Sequence, residues 1–198
     1  ICTLRNETEF LTGIRSVAEY TVYLILGLTK TIDGSRPGRL LKDLKLGIVG
    51  HGRIGKQVHG LCQDGFHMQV GFVDREHTQS DWEALFMTSD IISVHLPESP
   101  ETHHIISKAY LSLLKPGSIL INTSRASVID EAALIQANVQ NNINFALDMV
   151  ENLPLFKSLE HRIVSDHQAG NTIEDRQRTD QFLVTKLARM IEEDQSSR

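Results

Sequence analysis

Two periodicities take turns along the 198 residues of this chain. Residues 1–12 follow neither and read as an irregular lead-in. Over 13–32, Ile14, Val17, Ala18, Val22, Ile25 and Leu26 recur at helical spacing on one broad face, so a helix is expected there. Asp33-Gly34-Ser35-Arg36-Pro37-Gly38 is turn chemistry and ends it. Beyond that point short apolar runs alternate with helical ones. Strands are expected at 46–49, 69–73, 91–95, 118–122, 144–148 and 162–165. Helices are expected at 53–63, at 80–87 with Ser80 as cap and Glu83 completing a capping box, and from Ser107 to 114, stopped by Lys115-Pro116-Gly117. Two more are expected over 130–140, capped by Asp130, and over 172–193, with the tail from Glu192 frayed.

Strands alternating with helices give an α/β fold, a doubly wound parallel sheet covered on both faces. Ligands of such sheets bind at the carboxyl ends of the strands. The first strand runs into Gly50-His51-Gly52-Arg53-Ile54-Gly55, a G-x-G-x-x-G turn opening a helix. Gly50 allows the tight turn, Gly52 a close backbone approach to a pyrophosphate, and Gly55 the packing of helix on strand. Asp74 ends the next strand 74 − 55 = 19 residues past the third glycine, where a ribose-binding carboxylate belongs. Together these imply a Rossmann-type dinucleotide site.

Composition narrows the partners. Apolar residues are 40% and charged residues 23%, as in ordinary globular proteins, and the net charge of −5 argues against nucleic acid as partner. The most apolar stretch, 20–28, is too short to span a bilayer, and nothing reads as a signal peptide. Cys2 and Cys62 form neither a disulfide framework nor a metal-ligand spacing and fit reduced thiols of a cytoplasmic protein. His103-His104 reads as a surface or turn pair, so no metal is expected.

The other strand ends supply the chemistry. His95, Leu96 and Pro97 follow the third strand, and Thr123, Ser124 and Arg125 the fourth. Arg125 suits bidentate capture of a carboxylate, or closes a local salt bridge. Asp148 could bond a nicotinamide amide or cap the next turn. His167 can pass a proton near neutral pH, or pack as a loop residue.

These segments resemble the D-isomer-specific 2-hydroxyacid dehydrogenases. The resemblance runs through Ser16 to Thr21, Leu46 to Gly55, Ser89 to Pro97, Pro100-Glu101-Thr102, Leu114 to Gly117, Ile121 to Arg125, Asp130 to Leu134, Ala146-Leu147-Asp148, and His167 with Gly170. It implies NAD-dependent hydride transfer between a 2-hydroxy acid and its 2-oxo acid. Arg125 would hold the substrate carboxylate and His167 would be the acid–base. Gly50, Gly52, Arg53, Ile54, Gly55, Asp74, His95, Leu96, Pro97, Thr102, Thr123, Ser124, Asp148 and Gly170 would make the cofactor site. Asp74 favours NAD over its 2′-phosphorylated form, with Arg75 beside it pulling the other way.

Three departures from the family pattern stand out. Leu153 occupies the place of the glutamate that pairs with the histidine, with Glu151 and Asp166 the nearest replacements, and Asp166 stands where proline is usual. Ala126 replaces a glycine after Arg125, so a shifted loop is expected. A substrate domain that the family builds mostly from chain ahead of residue 1 is missing here. The division expected is therefore a lead-in over 1–12, a dinucleotide-binding domain over 13–170, and a helix over 171–198 that would cross to the missing domain, leaving Phe182, Leu183, Leu187 and Ile191 short of packing. Two functions compete: a dehydrogenase, and a catalytically silent NAD(H)-binding module acting through protein contacts. A homodimer through the 13–32 helix is expected.

Overall fold

The computed structural model describes residues 3–4, 6–30, 37–156, 159 and 162–196. Its centre is a six-stranded, wholly parallel sheet in the order β2-β1-β3-β4-β5-β6. The strands are β1 (Lys45–Val49), β2 (Gln69–Val73), β3 (Ile91–Val94), β4 (Ile119–Asn122), β5 (Asn144–Leu147) and β6 (Arg162–Val164). The chain leaves β1 for β2 on one side and returns to β3 on the other, so the switch point lies between β1 and β3. Strand 69–73 matches expectation to the residue; the others differ by one residue at an end.

β3, β4 and β5 are buried along their whole length because helices cover both faces. Successive residues feed opposite cores. Ile48, Ile91, Ile121 and Ala146 join α2 (Ser16–Thr29) and α3 (Arg53–Gly60), while Val49, Ile92, Leu120 and Phe145 join α4 (Gln79–Thr88), α5 (Lys108–Leu111) and α6 (Glu131–Asn141). Each fully buried aliphatic or aromatic side chain contributes about 1.5–3 kcal/mol. The apolar character of α2 is largely accounted for here, since Ala18, Leu24 and Ile25 are wholly buried on the sheet.

Several local expectations need correction. The lead-in holds a short helix, α1 (Thr8–Thr12). It is fixed from outside: Phe10 stacks on Phe182 at 4.1 Å, and Gln57 Nε2 donates to the carbonyl of Thr12 at 3.0 Å. The turn at 33–38 falls outside the described residues except for Pro37 and Gly38, as does Cys2. α3 is shorter than expected and continues as a wider π turn, Leu61–Gly65. The cap of α4 is Thr78, whose hydroxyl accepts from Asp81 N while the Asp81 carboxylate accepts from Thr78 N, a capping box that leaves Ser80 inside the first turn. Ser107 makes no side-chain cap bond, and α5 is a single turn. Asp130 does cap α6, accepting from Ala133 N at 3.0 Å. A short α7 (Leu153–Phe156) precedes β6, and the terminal helix α8 (Ile173–Ser196) continues past Glu192 instead of fraying there. On α8, Phe182 finds Phe10, whereas Leu187 and Ile191 remain exposed. Cys62 is buried and unpaired, and burial pushes its thiol up to about 12. Among the described residues no helix is long and apolar enough to cross a membrane.

Candidate cofactor and catalytic site

The glycine turn is built as its spacing demands. Gly50 has φ +93°, and a Cβ on it would stand 2.8 Å from the carbonyl oxygen of His95. Gly55 lies against the Gly50 carbonyl, so a side chain there would separate helix from strand. Gly52 caps α3, and a Cβ on it would meet no protein atom within 4 Å. That open space above the first turn is the room a pyrophosphate needs. The first-turn N–H groups, those of Arg53 and Ile54 included, have no intrahelical acceptor, and the helix dipole favours an anion there. The Arg53 side chain turns away, donating to the carbonyls of Leu11 (3.0 Å) and Ile14 (3.2 Å). It ties α1 and the start of α2 to the turn.

From Gly52 a cleft of about 820 Å³ runs along the carboxyl ends of the strands. Arg53, Ile54, His95, Leu96, Pro97, Thr123, Ser124, Arg125, Asp148, His167 and Gly170 line it. Gly50 and Gly55 form the turn beneath, and Asp74 stands outside the cleft at the end of β2. Thr102 does not reach it. Its hydroxyl donates to the Pro97 carbonyl (2.7 Å) and accepts from Ser99 N (2.9 Å), which spends it inside the 97–102 turn. His95 bonds Ser93 Oγ at 2.8 Å, and desolvation pushes its pKa down to about 3, so it is a neutral part of the wall.

Buried Asn122 shapes the β4 loop. Its Oδ1 accepts from Ser124 N (2.9 Å) and Ser124 Oγ (2.7 Å), and its Nδ2 donates to the Arg125 carbonyl (2.9 Å). The Thr123 hydroxyl donates to Thr21 Oγ1 of α2 at 2.9 Å, since Thr21 gives its own proton to Val17 O. Arg125 is left with its guanidinium at the cleft, one N–H meeting the Ser124 carbonyl. Residues Ala126–Val128 form a 3₁₀ turn, and Ala126 is not in the left-handed region that alanine tolerates poorly.

Asp148 is a clamp. Its Oδ1 accepts from Ser165 Oγ and Gln168 N, both at 2.7 Å, and its Oδ2 from Ala169 N at 2.9 Å. These bonds, with His167 N donating to the Asp148 carbonyl at 2.7 Å, fix a loop in which His167 is left-handed at φ +51°. The His167 ring has no hydrogen bond or ion pair among the described residues. It shares a recess of about 430 Å³ with Leu153, Val150, Val164 and Asp166. Glu151 is not in that recess; its backbone N–H, and that of Asn152, donate to the Glu131 carboxylate (2.7 and 3.2 Å).

Sequence reasoning missed Asn122, Ser165 and Asp175. Asp175 of α8 accepts from Arg15 N (3.2 Å) and Ser16 N (3.0 Å), capping α2 beside the glycine turn. Asn122 sits inside a run already singled out, but its pairing with Arg125 has no local signature.

Residues 10–169 match the family described as "D-isomer specific 2-hydroxyacid dehydrogenase, NAD binding domain". The chain belongs to this family. It is similar to glyoxylate reductase of Thermococcus litoralis, 37% identical over 74% of this chain and 49% of that protein. The structure of D-lactate dehydrogenase from Aquifex aeolicus with NAD and lactic acid superposes with a TM-score of 0.81 at 27% identity, over 93% of this chain and 68% of that one. An acyclic imino acid reductase (Bsp5) in complex with NADPH and D-Arg gives 0.81 at 25% identity, over 92% and 66%. This NAD binding domain spans about half the length of the curated relatives it matches. The matched segment takes in the glycine turn, Arg125, Asp148 and His167, and stops before α8. With Gly52 open and a helix N-terminus beneath it, the residues present fit a dinucleotide.

Proposed function

We propose that the protein carrying this domain interconverts a 2-hydroxy acid and its 2-oxo acid. The observation that carries the reading is a single cleft that begins at the pyrophosphate turn and ends at Arg125 and His167. Bound NADH would supply the hydride. Gly52, Arg53 and Ile54 hold the diphosphate through backbone N–H groups, and Asp74 takes the adenosine ribose. Arg125 holds the substrate carboxylate in a fork and draws charge from the neighbouring carbonyl. His167 gives its proton to that carbonyl oxygen in reduction and takes it back in oxidation. Asp148, Ser165 and Asn122 are positioning residues, fixing the loops that carry His167 and Arg125.

Leu153 supports a second reading, a binding module without turnover. A carboxylate beside a histidine keeps it charged and oriented, and leucine does neither. For this chain alone the expectation is cofactor binding with little reduction of any 2-oxo acid. NADH consumption with glyoxylate and pyruvate, for the chain and for Leu153→Glu, tests it. Gain of turnover in Leu153→Glu supports a dehydrogenase site disabled at one position. Robust turnover by the unmodified chain overturns the expected silence.

A homodimer through α2 is supported by Tyr23, 61% exposed with Tyr20 beside it at 5.6 Å; a monodisperse monomer by light scattering refutes it. A cytoplasmic setting is supported by the unpaired Cys62 thiol, and the absence of a nucleic-acid partner by the net charge of −5.

A further inference from the structure

Three imidazoles gather on one aromatic ring beside Asp74. His51 stacks on Phe72 with centroids 3.8 Å apart, and His77 meets the ring edge at 5.4 Å. His59 of α3 reaches His51, Nδ1 to Nε2, at 3.0 Å. His59 Nε2 lies 3.0 Å from Gln63 Oε1, which can only accept. In the neutral pair His59 Nδ1 therefore accepts from His51 Nε2.

His77 is coupled to Asp74. Its Nδ1 lies 2.9 Å from Asp74 Oδ1, which also accepts from Glu76 N at 3.1 Å. The His77 and Glu76 hydrogen bonds hold the Asp74 carboxyl below the usual carboxylate range, so it is ionised near neutral pH. Asp74 N–H also points at His77 Nδ1 from 3.3 Å, but the ionised oxygen is nearer, at 2.9 Å, and an acceptor that close requires the hydrogen on Nδ1. The other ring nitrogen, Nε2, is a lone pair when the ring is neutral and an N–H donor on a charged ring when it is protonated. The charged and titratable groups around it are Asp74, Arg75 and Glu76 of its own loop, Asp81 of α4, and His51 with Lys56 and His59 behind it. With His77 neutral, the Asp74 carboxylate faces an adenosine ribose without a charge on its hydrogen-bond partner and repels a 2′-phosphate, Arg75 beside it pulling the other way in either state. With His77 protonated, the pair is neutral overall and offers a donor.

We propose that His77 is a specificity-determining residue: through Asp74 it makes the site exclude the 2′-phosphorylated dinucleotide when neutral and admit it when protonated. This rests on the reading that Asp74 meets the adenosine ribose. The fold itself takes either form, since relatives are solved with NAD and with NADPH.

Calorimetric titration with NAD and with NADP, from about pH 8.5 to about pH 6, tests it. The 2′-phosphate titrates near pH 6 on its own, so the comparison is with His77→Gln, which keeps an amide donor and cannot charge. The expected result is an NADP-to-NAD Kd ratio that falls about tenfold more in the unmodified chain than in His77→Gln, with the NAD Kd moving less than about threefold. Equal falls in the two proteins, or no fall in the unmodified chain, overturn the proposal while leaving the cofactor site intact. Binding of neither nucleotide at any pH removes the cofactor site itself, and this proposal with it.

Discussion

Replacing Asp148 by asparagine isolates what the clamp does. The carboxylate accepts three bonds, two at Oδ1 and one at Oδ2, and the residue is 1% exposed. Asparagine keeps the shape and offers one oxygen. With that oxygen towards Ser165 and Gln168, the new NH₂ faces Ala169 N–H. With the amide flipped, the oxygen satisfies Ala169, Ser165 Oγ can accept, and Gln168 N–H faces the NH₂. Either way one backbone donor meets another, in a site that water enters poorly. A buried donor left unpaired costs about 1–3 kcal/mol. Because the loop can open without the sheet, the cost appears first as local opening. Hydrogen exchange should show the Gln168 and Ala169 amides losing protection by about tenfold to a hundredfold, with β4 and β5 unchanged. Exchange of those two amides within about twofold of the unmodified chain would refute the clamp.

Other outcomes follow from the same geometry. Asp175→Ala removes the only side-chain acceptor at the start of α2 among the described residues and should lower stability by about 1–2 kcal/mol in urea unfolding. An unchanged midpoint would mean that solvent caps α2 equally well. His95 has a folded pKa of about 3, below its ordinary value of 6.5, so the unfolded chain binds its proton first as pH falls. Stability should therefore decline as pH drops from about 6.5 towards about 3, and His95→Gln should flatten that part of the profile; identical profiles would argue that the ring is solvated.

The sheet was legible because its central strands, buried on both faces, leave unbroken apolar runs between turns; the edge strand β2 was bounded to the residue although only Val73 in it is buried. Helix starts were less so. Thr78–Asp81 and Ser80–Glu83 both have capping-box spacing, and only the extended backbone at Thr78 (ψ 164°) decides between them. α1 and the cap of α2 rest on Phe182, Gln57 and Asp175, far along the chain, so no local pattern announces them. The site followed the same division. Strand ends found the cleft, because topology puts ligands there. Thr102 is the less legible case, because a hydroxyl within a matching motif gave no sign that it would bond within its own turn. Asp148 lay where expected, but its three acceptor bonds could only be seen once Ser165 and Gln168 were brought beside it.

The open space over Gly52 is the place a dinucleotide's diphosphate would take. Gly52 has φ −76° and ψ −157°, which any residue adopts, and threonine caps helices about as well as glycine. Gly52→Thr should therefore unfold at the same temperature while its side chain fills that space. In an NADH fluorescence titration, the unmodified chain should bind saturably and Gly52→Thr at least about tenfold more weakly. Undiminished binding by Gly52→Thr, or none by the unmodified chain, would contradict that placement of the diphosphate.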